Sequence, residues 1–162
     1  MAQGTTVVYW EDTARIDAVM TKLLKGSEAK CALLVDKDGH LISRHGFTQT
    51  LDTTALAALM AGSFASTAEI ARLVGESEFS VLFHQGVNDH IHMNLVGDRS
   101  ILAVIFDDRT TIGMVRLYAR ETTEQLQQIF ETSADREGGE ERRLSEDFTN
   151  SVEDKLDDLL RD

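Results

Sequence analysis

Apolar residues recur at three- and four-residue spacing through Ile16, Val19, Met20, Leu23 and Leu24. That spacing predicts an amphipathic helix starting near Glu11 and stopping at Gly26. The period then changes. CALLV (31–35) is an apolar run of strand length, DKDG (36–39) carries the Asp and Gly of a tight turn, and HLISRHG alternates as a return strand. Asp52 or Thr53 begins a second helix that runs to Gly75, with its large residues Leu56, Leu59, Met60, Phe64, Ile70, Leu73 and Val74 near a 3.6-residue period.

Three strands follow, FSVLFHQ (79–85), HIHMNLV (90–96) and ILAVIF (101–106), separated by the turn-forming GVND and GDRS. Residues 111–131 form a last domain helix through Ile112, Val115, Leu117, Leu126, Ile129 and Phe130. The order helix-strand-strand-helix-strand-strand-strand-helix, with short turns between strands, predicts an α+β fold on an antiparallel sheet. Residues 133–143 are charged and contain Gly138 and Gly139, the composition of a linker. Beyond them, 144–162 is an acidic amphipathic C-terminal helix whose stripe is Leu144, Phe148, Val152, Leu156, Leu159 and Leu160. Three fates are open to it: packing on its own domain, docking on a basic partner, or disorder.

Charge narrows the choice of partners. With 16 basic and 28 acidic side chains the formal net charge is −12, unfavourable for a nucleic acid backbone or an anionic membrane surface. The stretch 53–68 carries no charge and is dominated by small side chains, but it falls short of the ~20 apolar residues that cross a bilayer. MAQGTTVVYWEDT has neither the basic nor the apolar region of a signal peptide, and Cys31, the single cysteine, cannot form an intrachain disulfide, so a cytoplasmic setting is expected.

Catalytic chemistry is not visible. The chain has no phosphate-binding loop, dinucleotide fingerprint, nucleophile elbow or CxxC pair. DKDG lacks the later ligands of a calcium loop and reads as a turn. His84, His90 and His92 fall within nine residues. A GVND hairpin pairs Gln85 with His90 and Phe83 with His92, which leaves His84 on the other face and disfavours a shared metal. Asp107, Asp108 and Thr110 are placed to cap the last helix, with Arg109 exposed beside them. No metal and no cofactor are expected.

The stretches LLVDKDGHLISRHG, LDTTALAALMAGSFAST, LFHQG, ILAVIFDDRTTIGMVRL and QLQQIFE, in this order over residues 8–132, resemble the roadblock / dynein-light-chain family, in particular its bacterial polarity (MglB-type) subgroup. The acidic tail is similar in position and in its leucine-rich end. The resemblance implies a roadblock-type five-stranded antiparallel sheet with a long central helix, and a homodimer joined at the edge strand carrying Phe79, Val81 and Phe83. It also implies a regulator without its own active site. Such a protein binds an MglA-type Ras-like small GTPase in the GTP state and speeds hydrolysis by repositioning the GTPase's own residues, in cell polarity or motility and with concentration at a cell pole. On that basis Leu56, Met60, Phe64, Ile70 and Val74 belong against the sheet, while Ala58, Ala61, Ala65 and Glu69 form a bare stripe facing either the twin helix or the GTPase. Phe148, Val152, Leu156, Leu159 and Leu160 become the anchors of a second GTPase contact. The other reading is a non-catalytic roadblock adaptor.

Overall fold

The first helix, α1 (Trp10–Ser27), has Glu11 and Asp12 in its first turn and Lys25 in its last, both favourable to the helix dipole. The computed structural model describes residues 10–161; residues 8 and 9 of the expected domain and Asp162 of the tail lie outside the described residues. Helix α1 ends one residue beyond the expected stop, with Glu28 in the left-handed region at φ 57°. Gly26 serves a different purpose from a stop signal: a Cβ there would lie 2.1 Å from the Tyr118 ring, so its bareness lets two helices meet.

Strands β1 (Cys31–Asp36), β2 (Leu41–Gly46), β3 (Val81–Gln85), β4 (His90–Val96) and β5 (Ser100–Phe106) form one antiparallel sheet in the order β2-β1-β5-β4-β3. Strands β1 and β5 are buried along their whole length, which explains why CALLV and ILAVIF lack alternation. Alternate residues serve two cores. Ala32, Leu34, Leu102, Val104 and Phe106 face α1 and the first part of α3 (Ile112–Leu160), while Leu33, Val35, Met93, Ile101 and Ala103 face α2 (Thr53–Val74).

Helix α2 is 22 residues long and, by length and composition alone, apolar enough to cross a membrane. The argument from the 16-residue uncharged run therefore understates it. Here its Ala57, Met60 and Phe64 are buried in the sheet's second core, the placement of a core helix. Only Leu56, Met60 and Phe64 of the five predicted sheet residues follow expectation; Ile70 and Val74 are exposed. The physical reason is phase for the first and position for the second. The buried face runs through Thr53, Ala57, Met60, Ala61, Phe64, Thr67 and Ala71, and at 100° per residue Ile70 points away from it, whereas Val74, in phase with Leu56, is exposed as the last residue before the Gly75 cap.

Helix α3 is continuous over 49 residues, about 73 Å at about 1.5 Å per residue. The expected linker over 133–143 is helical, and side-chain contacts to α1 through Ser133 and Arg136 fall inside it. Residues 142–161 are all exposed, so the acidic helix does not fold back on its own domain.

Candidate interaction surface

Asp52 caps α2, its Oδ1 accepting from the Ala55 N–H at 3.0 Å, and Gly75 closes it in the left-handed conformation at φ 82°. Between these caps the helix presents two exposed faces. The first is the small-residue face. Ala58, Ala65 and Glu69 are exposed on it, whereas Ala61 is buried, one helical turn after Ala57 and on the same side. Ala61 therefore leaves the predicted stripe. The remaining alanines are not a free plane either. Ala58 lies against Gly39 of the β1–β2 turn, where an added Cβ would come within 3.1 Å of the Ala58 Cα. Ala61, Ala65 and Ala68 line a cavity of about 170 Å³ with Lys37, Phe64 and Phe79. Glu69 pairs with Arg72, whose Nε donates to both carboxylate oxygens, and that bonding holds its carboxyl below the usual range.

The second exposed face carries Leu59, Ile70, Leu73 and Val74, each more than half exposed. Two of the four, Ile70 and Val74, are expected against the sheet from the sequence, which hides the face as a surface. Its signal was present: Leu59, Ser63, Ser66, Ile70 and Leu73 step by four, three, four and three, so serines and leucines share one side.

Strand β3 ends the sheet and leaves one row of backbone groups unpaired. Val81 and Phe83 are exposed on it; Phe79 is exposed just before the strand begins, two residues later than the sequence predicts. The predicted register holds, with Gln85 opposite His90 and Phe83 opposite His92. His84 is thereby separated from the other two. Phe83 stacks on Phe106 at 6.2 Å between ring centroids and lies 6.2 Å from the His90 ring. The Gly86 N–H donates to His90 Nδ1 at 3.2 Å, which leaves the other ring nitrogen 3.4 Å from Asp108. His92 is fully buried, and burial, reinforced by Arg116, pushes its pKa below the ordinary histidine value.

Helix α3 is capped by Thr111, whose Oγ1 accepts from the Met114 N–H at 3.2 Å, in place of the predicted Asp107, Asp108 and Thr110. Asp107 instead accepts from the backbone N–H and Nε of Arg109, which lowers its pKa. Among the described residues, the one group close enough to share a cation is Asp36, Asp38 and His40. Asp36 Oδ1 is already occupied by the Asp38 and His40 N–H groups at 3.0 and 2.9 Å, the bonding of an ordinary turn. On the tail, Leu144, Phe148, Leu156, Leu159 and Leu160 are more than half exposed and Val152 is 40% exposed. A groove of about 720 Å³ between the β4–β5 turn and α3 carries Glu78, Asp98, Glu131 and Glu137 against the single base Arg99, a net charge of the same sign as the tail.

Five antiparallel strands with α1 and α3 on one face, α2 on the other and an open apolar edge define a roadblock domain. The chain matches the Roadblock/LC7 domain over residues 15–106 and belongs to that family. Among solved structures it is similar to MglB of Myxococcus xanthus, at 47% identity and TM-score 0.74, over 78% of this chain and 95% of that one. It is similar also to the gliding protein MglB of Thermus thermophilus, at 28% identity and TM-score 0.75, over 81% and 99% of the two chains. A further MglB, described in a tetrameric arrangement, matches at 27% identity and TM-score 0.76, over 81% and 98%. No curated protein sequence matches the chain.

Proposed function

We propose that this chain is a homodimeric regulator of cell polarity or gliding. In this reading it binds an MglA-type Ras-like small GTPase in the GTP state, in the cytoplasm, and stimulates hydrolysis by repositioning the GTPase's own catalytic residues. The observation that carries the reading is the 47% identity to Myxococcus xanthus MglB over 95% of that protein. The surface is compatible with it. An edge strand with exposed Val81 and Phe83 is a hazard unless a second copy covers it. The apolar side of α2 carries Leu59, Ile70, Leu73 and Val74, while Phe79 lies across a cavity from the small-residue side of that helix, with Ala61, Ala65 and Ala68. Nucleotide, Mg²⁺ and the chemical step reside in the GTPase, and a partner of this kind acts by favouring one of its conformations.

The test is GTP turnover by an MglA-type GTPase with and without this protein. Stimulation of about tenfold or more is expected, about 1.4 kcal/mol or more off the barrier. Ala65→Arg with Glu69→Arg should remove most of it while the protein stays folded and dimeric. Ala61 is left untouched in that variant because an arginine there would disrupt the core. A stable complex that leaves turnover unchanged would replace this reading with that of a roadblock adaptor.

A further inference from the structure

The polar contact that ends the domain is buried. Asp12, in the first turn of α1, is 1% exposed. It accepts a hydrogen bond from Ser133 Oγ and another from Arg136 Nη2, the latter at 2.6 Å. Arg136 Nη1 also reaches Glu11 Oε2 at 2.9 Å. Ser133 is itself buried and donates to the Ile129 carbonyl as well. One helical turn of α3 is thus tied to the start of α1 by charge-assisted bonds, one partner of which is removed from water.

Two residues after Arg136 the helix contains Gly138 and Gly139. A Cβ at either position would meet nothing within 4 Å, so no packing requirement accounts for the glycines. Past them, residues 142–161 are exposed throughout. Adjacent glycines where the helix leaves the domain, half-buried but with no side chain to pack, form the segment easiest to bend, because glycine gains the most backbone freedom when it leaves the helix.

From this juxtaposition we infer that Asp12, Ser133 and Arg136 form a latch that marks the end of the rigid domain, and that Gly138–Gly139 is the pivot about which the C-terminal helix swings as an arm. The latch keeps bending out of the turns of α3 that pack on α1. The pivot gives the arm a range of directions from one fixed point. The inference concerns this chain alone and holds whichever partner the arm meets.

The test uses the full-length protein in a Cys31→Ala background, with spin labels at Thr21→Cys in α1 and Asn150→Cys in the arm, both exposed positions. The distance distribution between them should be broad, and Gly138→Ala with Gly139→Ala should narrow it markedly. Hydrogen exchange tests the latch on the same footing. Protection should stop near residue 136, and Arg136→Gln should speed exchange at 129–136 and at 14–17 of α1, the first hydrogen-bonded amides of that helix, about tenfold or more. Asp12→Asn, which keeps the shape of the side chain, should move the same amides in the same direction. A narrow distribution unaffected by the alanines removes the pivot. Unchanged exchange at 129–136 in both latch variants removes the latch.

Discussion

Gly46 and Gly138 respond in opposite ways to one added methyl group. Gly46 sits at φ 83°, and its Cβ would fall 2.5 Å from the Lys30 carbonyl oxygen and 2.9 Å from the Cys31 Cα, both backbone atoms that cannot move aside. Gly46→Ala should therefore cost roughly 2–4 kcal/mol in urea unfolding, from strain and overlap together. Gly138→Ala meets open space in a helix, and should raise helix content in circular dichroism, with a local gain of roughly 1 kcal/mol. Cys31 is buried between its neighbouring strands, and burial pushes its thiol up to about 11. Maleimide at pH 8 should label the folded protein slowly and the unfolded protein at the rate of a free thiol. His92 supplies a pH dependence. Its folded-state pKa lies below the ordinary value of 6.5, mainly through burial. As pH falls through 6.5 the unfolded chain takes up a proton that the native site resists, so stability declines with acidification down to the folded-state pKa. Melting temperature should drop between about pH 7 and pH 5, and the drop should be smaller in His92→Gln.

At the scale of elements, α2 and β3 carry the exposed apolar surface and α3 carries the arm. Ile70 on α2 and Val81 on β3 are exposed, so lysine at either leaves the core intact. Val81 shares a face of the sheet with Leu102 and the α1–α3 core, opposite to α2. A homodimer joined at β3 should therefore lose affinity at least about a hundredfold in sedimentation experiments with Val81→Lys and keep it with Ile70→Lys. That loss corresponds to roughly 2.7 kcal/mol. A dimer that persists unchanged in Val81→Lys would place the contact elsewhere. The elements also show how far residue patterns carry. The hairpin register of β3 and β4 follows from the four residues GVND, because a two-sided ladder with a fixed turn admits few alternatives. The end of α1 and the cap of α3 were each displaced by a residue or more, since Gly26 answers to Tyr118 across the core and Thr111 competed successfully with Asp107, Asp108 and Thr110.

For the molecule as a whole, charge is unevenly placed. The segment 144–162 has seven acids against two bases on a chain whose total is −12, and the groove beside α3 is acidic as well. Positive charge on a partner favours docking on the arm. Such a partner's affinity for the full-length chain should fall as salt rises from about 50 to 500 mM, a range over which exposed charges become screened. A chain lacking residues 144–162 should show a flatter dependence, read by titration of the same GTPase. Equal salt slopes would take the arm out of the contact.

The edge position of FSVLFHQ came with the family resemblance, whereas the element order, the antiparallel sheet and the apolar stripe of the C-terminal helix lay within the sequence alone. Each of the latter depends on local periodicity and turn chemistry, which neighbouring residues impose on one another. Tertiary structure decided what periodicity cannot hold. It buried Ala61 while exposing Ile70, because which side of α2 meets the sheet depends on strands far away in the chain. It carried a helix through 133–143, because Asp12, more than a hundred residues earlier, binds Ser133 and Arg136. Contacts between distant segments turn an ambiguous helical face into a buried one and an apparent linker into a latched helix.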